Sequence, residues 1–238
     1  MSSHRDDLSK LLDRNTDSSR DEPEVAANIG EQLKHMELKS LPISLRRRIR
    51  DVVAQIKPQN IVEVGAGIGH LSAWLFDEWD TTEHTPSRYI MVEAGGKFGV
   101  ILTRLIERYN ASKWAQVVVG EWNEIIAEQR SWVAANTSSS ENSMISKSPL
   151  PTNIDICIID VGWENQNACI MGAVPLLGEN SIILTSEPDV PDENETDENK
   201  IAAFNEWIVL VKMLNETHEI GFVPMFGGTL IGIRKVKR

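Results

Sequence analysis

Short apolar runs alternate with helix-spaced apolar stripes along most of this chain. The runs lie at 61–65, 88–93, 114–119, 154–160 and 181–185 and are rich in Ile and Val, as buried strands of a parallel sheet are. Between them the apolar spacing predicts helices over about 70–79, over 97–109 (Val100, Ile101, Leu105 and Ile106 on one side), from 122 to about 134, and after 160 to about 177. Upstream, a helix is expected from Pro23 to about Leu38, and another from Ser44 to Ile56 with Leu45, Ile49, Val52, Val53 and Ile56 as its buried stripe. Downstream, a long helix at about 200–215 precedes strands at about 218–223 and 228–236. The joint Pro224-Met225-Phe226-Gly227 is too short for a parallel crossover, so this last pair is antiparallel. The pattern predicts an α/β fold: a seven-stranded, mostly parallel sheet closing in an antiparallel hairpin, with helices on both faces.

Three stretches fall outside this rhythm. Residues 1–22 are polar and are expected to form a flexible tail, ahead of an N-terminal helical part at 23–58 and the main domain at 59–238. Residues 135–153 are rich in Ser and Asn, carry Pro149 and Pro151, and read as a flexible insertion. Residues 187–199 form an acidic loop, either a solvated surface segment or a lid that attracts a cationic acceptor.

Composition narrows the class of protein. At 238 residues, 41% hydrophobic and 25% charged, the chain suits one globular domain with some decoration. A formal net charge of −11 argues against a protein built mainly to hold a phosphate backbone. No stretch reaches the roughly 18 apolar residues needed to span a bilayer. The polar N-terminus is unlike a secretory signal, and Cys157 and Cys169 read as reduced core residues, so a cytoplasmic location without a membrane partner is expected. One basic run stands out, Arg46-Arg47-Arg48 and Arg50 on the 44–56 helix. It is either a solvated face or a docking surface for an acidic substrate or RNA.

The candidate chemistry centres on Glu63-Val64-Gly65-Ala66-Gly67-Ile68-Gly69-His70. Here a buried strand turns through three alternate glycines into a helix, whose first free N–H groups face any ligand over the turn. The G-x-G-x-G spacing, with Glu63 two places earlier, differs from the G-x-G-x-x-G of dinucleotide folds. It resembles motif I of the class I S-adenosylmethionine (SAM) methyltransferases. Those proteins also share a parallel sheet with one reversed terminal strand, so the resemblance covers about residues 43–238.

The resemblance implies SAM as cofactor and gives the polar residues at the strand ends their roles. Glu93 would accept the ribose hydroxyls, with Ala94 beside it, and Glu121 would lie near the adenine amino group. Trp122 either covers the adenine or belongs to the core, and Glu63 would orient the methionine amine through Gly65, Ala66, Gly67 and Gly69. His70 either approaches the methionine end or is an exposed first-turn residue. Asp160, at the end of the fourth strand, is the candidate catalytic residue and also borders the cofactor.

Around Asp160-Val161-Gly162-Trp163 the chain looks most like the catechol and caffeoyl-CoA O-methyltransferases. In those enzymes a divalent metal uses this Asp and an Asp-Asn pair after strand 5. Here Thr185-Ser186-Glu187 replaces the pair, so no metal is expected, with Glu187 or Asp189 the only substitutes. Methyl transfer to a small-molecule acceptor, at oxygen, is the expected function. The alternatives are RNA methylation, for which no Asn/Asp-Pro-Pro-Tyr motif is present, and a non-catalytic SAM-binding module.

Overall fold

Alternation of side chains across each strand decides which layer of helices it supports. The computed structural model describes residues 4–16, 18–82, 84–138 and 148–235. Among these, β1 (Asn60–Val64), β2 (Arg88–Glu93), β3 (Ala115–Val119), β4 (Ile154–Ile159), β5 (Leu177–Ser186), β6 (His218–Met225) and β7 (Gly228–Lys235) form one sheet. Its order is β3-β2-β1-β4-β5-β7-β6. Strands β1 to β5 run parallel, and β7 lies antiparallel between β5 and β6, as the short joint at 224–227 requires.

Ile61, Ile156, Ile158, Ile182 and Leu184 face one hydrophobic layer. That layer is built from α1 (His4–Leu11), α2 (Glu24–His35), α3 (Ile43–Ile56), α4 (His70–Thr81) and α5 (Gly96–Arg108). Val62, Val64, Cys157, Ile159 and Ile183 face the other, which α6 (Trp122–Ser138), α7 (Trp163–Ala173) and α8 (Glu198–Leu214) cover. Both cysteines are buried and free. No helix among the described residues is long and apolar enough to cross a membrane.

The N-terminal stretch differs from the loose tail expected of it. Leu8 and Leu12 are fully buried, because β6 and β7 present glycines there: a Cβ on Gly221 or Gly232 would come within 2.8 Å of Leu12. Gly221 and Gly232 are paired across the strands, so together they open a groove that α1 fills. Leu12 and the described residues 18–22 lie as a strap along α3, and the basic run holds them down. Arg48 donates to the Leu12 carbonyl (2.6 Å), Arg50 to that of Ser19 (2.9 Å), Arg47 to that of Arg20, and Arg46 to the Glu22 carboxylate (2.8 Å). Arg46 and Arg50 are buried, and the guanidiniums of Arg47 and Arg50 lie over the Trp74 ring. The arginines are therefore neither a solvated face nor a free basic surface. Carbonyl oxygens and carboxylates elsewhere in the chain accept hydrogen bonds from each of them.

Further differences are small. Strand β5 begins earlier than expected, at Leu177, and α6 runs to Ser138, into the expected insertion. Much of that insertion, 139–147, lies outside the described residues, but Ser148 and Leu150 at its far end are buried. The Ser148 hydroxyl (2.8 Å) and the Leu150 amide (3.0 Å) both donate to Gln129.

Candidate active site

Strand β1 pairs with β2 on one side and β4 on the other, so the chain reverses its direction of winding at β1. In open α/β sheets a crevice forms at that reversal, beyond the carboxyl ends of the strands. Here the β1 end carries the glycine turn, and all three glycines have positive φ, at +82° for Gly65, +57° for Gly67 and +87° for Gly69. The amides of Gly65 (3.0 Å) and Ala66 (3.2 Å) donate to the Val92 carbonyl, fixing the turn to the end of β2. On the other side the Asp160 amide donates to the Val64 carbonyl (2.9 Å). A Cβ on Gly65 would lie 2.1 Å from the Asp160 carbonyl oxygen, so only glycine lets β1 and β4 end this close together.

Two cavities open on either side of this junction and meet at Gly65 and Val161. The smaller, about 150 Å³, is lined by Glu93, Ala94, Gly120, Glu121 and Trp122. Glu93 accepts hydrogen bonds from the Gly67 amide (2.8 Å) and the Gly95 amide (2.7 Å), so one carboxylate ties the glycine turn to the loop after β2. A carboxylate has about four acceptor sites, which leaves room for two hydroxyl donors. Trp122 is buried among Ile125 and Ile126, its Nε1 donates to the Cys169 carbonyl (3.1 Å), and it also walls the cavity. It serves core and crevice together. Glu121 is exposed at the rim.

The larger cavity, about 450 Å³, brings Glu63, Gly65, Ala66, Gly67, His70 and Asp160 together. Burial lifts Asp160 to about 6, while the nearby Arg46 charge acts to lower it. Burial raises Glu63 to about 7, against hydrogen bonds from Tyr89 and from Ser72 (2.9 Å) that pull it down. These two donors supply the partners that a carboxylate inside a strand requires. His70 is not an exposed first-turn residue. The residue is 8% accessible, and its ring bonds to Ser40 Oγ (3.0 Å) and Glu22 Oε1 (3.2 Å). Gly30 of α2 permits this, since a Cβ there would lie 3.2 Å from the imidazole.

Glu63 carries a pH signature. Its value of about 7 in the fold lies above its ordinary 4.5, so the folded chain holds a proton that the unfolded chain releases. That contribution to stability is fully present below about pH 4.5 and is lost as pH rises through 7. Glu63→Gln, neutral at every pH and still able to accept from Tyr89, is expected to match the parent at pH 4 and exceed it at pH 8. A gain of roughly 2–3 kcal/mol is expected in urea unfolding.

The end of β5 shows why the catechol-type metal set does not fit. Gln166, buried on α7, donates to Thr185 Oγ1 (2.8 Å) and to the Ser186 carbonyl (2.5 Å), and Thr185 donates to the Ile159 carbonyl (2.9 Å). Neutral hydrogen bonds tie this corner together. Glu187 and Asp189 line the larger cavity, but among the described residues no three His, Cys, Asp or Glu side chains gather around one point. Sequence reasoning missed Glu22, Ser40 and Gln166. Each is an ordinary polar residue whose importance comes from a partner elsewhere in the chain.

Sheet order, glycine turn and reversed terminal strand together define a class I methyltransferase fold. The sequence matches no protein-family model and no curated protein. Solved structures match it over nearly its whole length. An O-methyltransferase from Bacillus cereus, in complex with S-adenosylhomocysteine, is 15% identical at a TM-score of 0.66 and covers 96% of this chain and 97% of its own. The O-methyltransferase TomG of Streptomyces achromogenes, involved in tomaymycin synthesis and in complex with SAM, is 13% identical at 0.62, covering 98% and 96%. A methyltransferase of Podospora anserina bound to S-adenosylhomocysteine is 16% identical at 0.59, covering 98% and 95%. Identities this low establish the fold, and the site must speak for the chemistry.

Proposed function

We propose that this protein transfers the methyl group of SAM to a hydroxyl oxygen of a small-molecule acceptor. The observation that carries this is the pair of cavities meeting at Gly65 and Val161, one walled by Glu93 and Trp122 and the other by Asp160. A nucleoside fits the first, with its ribose on Glu93 and its adenine between Trp122 and Glu121. The methionine part then passes Gly65 toward Glu63. SAM supplies a methyl carbon already activated by positive sulfur, so the protein needs mainly to align acceptor, methyl and sulfur and to exclude water.

Asp160 would orient the acceptor and, once ionised, face the positive sulfur. Leu41, Leu45, Trp163 and Pro188 line the larger cavity and give the acceptor's body an apolar wall. The similar solved structures described as O-methyltransferases support oxygen as the acceptor atom. The engaged arginines remove the support for an RNA acceptor.

Release of S-adenosylhomocysteine, measured with phenols, alcohols, amines and tRNA and with or without Mg²⁺, tests this proposal. A hydroxyl acceptor is expected to turn over, and Asp160→Asn to slow transfer about 100-fold while weakening SAM binding far less. Methylation of nitrogen or tRNA alone would contradict it. SAM binding with no turnover of any acceptor would make the protein a SAM-binding module.

A further inference from the structure

We propose that Glu22, His70 and Ser40 form a proton relay whose outer end, the Ser40 hydroxyl, takes the proton of the acceptor's hydroxyl group; this rests on the methyltransferase reading above. Three separate parts of the chain deliver these groups: the N-terminal strap, the loop before α3 and the first turn of α4. They meet in an unbroken line, with Glu22 Oε1 3.2 Å from His70 Nε2 and His70 Nδ1 3.0 Å from Ser40 Oγ.

The line also has a direction. Ser40 and His70 line the large crevice beside Asp160, and both also line a second cavity of about 330 Å³ behind it. Glu22 lines only the rear cavity, so it approaches the ring from behind and leaves Ser40 facing the crevice. Ser40 is exposed.

Protonation follows from the neighbours. Burial acts to raise Glu22, but the hydrogen bond and charge of Arg46 outweigh it and hold Glu22 below its ordinary value. An ionised Glu22 accepts from Nε2–H and leaves the Nδ1 lone pair for the Ser40 hydroxyl. Burial, and then the Arg46 charge, lower His70, so the ring stands neutral and able to take a proton. Arg46 Nη1 donates to Ser40 Oγ (3.2 Å) and steadies negative charge on it. The other charged groups lining these cavities are Glu31 and Lys34 on the rear one, and Lys39, Glu63, Asp160, Glu187 and Asp189 on the crevice. From α2, Gly30 lies directly against the imidazole.

In the transfer step the acceptor's proton moves to Ser40 Oγ as the Ser40 proton moves to His70 Nδ1. The acceptor oxygen uses the freed pair to bond the methyl carbon, and sulfur keeps the electron pair of the bond that breaks. His70, now positive beside Glu22, returns the proton to water.

A fluorophosphonate probe reads this activation with neither cofactor nor acceptor present. Ser40 oxygen bonds phosphorus, fluoride leaves, and the serine proton goes to His70. Modification is expected at Ser40 by peptide mass and is expected to quicken as rising pH deprotonates His70. It should fall at least about tenfold in Glu22→Gln and His70→Gln and vanish in Ser40→Ala. Nitrogen NMR of the unaltered protein is expected to place the imidazole proton on Nε2. No labelling of Ser40, an equal rate in His70→Gln, or a proton on Nδ1 would overturn the relay. Calorimetric titration of the same unaltered protein with SAM separates the two proposals. Absence of SAM binding sinks the methyltransferase reading whatever the labelling shows.

Discussion

Glu93→Ala is expected to weaken SAM binding by at least about 100-fold in a calorimetric titration. The carboxylate would accept two ribose hydroxyls, and hydrogen bonds to a charged group contribute roughly 1.5–3 kcal/mol each. Their joint loss corresponds to about 10²–10⁴ in affinity. A second effect acts in the same direction. Glu93 accepts from the amides of Gly67 and Gly95, so its removal frees the glycine turn from the loop after β2. Glu93→Gln keeps the shape but loses the charge and half of the acceptor capacity, so its affinity should fall between parent and alanine. Unchanged affinity in the alanine variant would remove Glu93 from the site.

Gly65→Ala is expected to cost roughly 3–5 kcal/mol of stability and to close the crevice to SAM. Its Cβ would stand 2.1 Å from the Asp160 carbonyl oxygen and 2.8 Å from Val161 Cγ1, on a backbone held at φ +82°. An L residue at such a φ costs about 1–2 kcal/mol before any clash is counted. The remaining overlap can be relieved only by moving the end of β4 away from β1, which pulls the crevice floor apart. Gly67→Ala is the natural control, since a Cβ there meets nothing within 4 Å. Only the backbone term of about 1–2 kcal/mol should then remain. Urea unfolding of the two variants separates collision from conformational strain. Equal losses would show that the close approach of β1 and β4 does not matter.

The framework of this fold was written in local patterns. Ile and Val runs fixed the strands, and the short joint at 224–227 fixed the antiparallel end. The same local pattern placed Glu93, Asp160 and the three glycines at strand ends, where Glu93, Asp160, Gly65 and Gly67 line the two adjoining cavities while Gly69 packs against Leu102 and Leu105. What stayed hidden depends on partners distant in the chain. The burial of His70 depends on Gly30, Glu22 and Ser40, each of them thirty or more residues from it in sequence. The arginine run resembled a surface because its partners are backbone carbonyls at 12, 19 and 20, and a carbonyl has no signature in a sequence. The N-terminal helix was legible in principle. Leu8, Leu11 and Leu12 repeat at helical spacing, but the polar residues around them mask the stripe, and the paired Gly221 and Gly232 that receive it lie at the other end of the chain.

A crystal structure of the complex with S-adenosylhomocysteine tests the central claim most directly. The account predicts both ribose hydroxyls on the Glu93 carboxylate, adenine against Trp122, and the sulfur beside Gly65 with Asp160 across from it. A nucleoside bound elsewhere, or a crevice that stays closed to a saturating ligand, would contradict it.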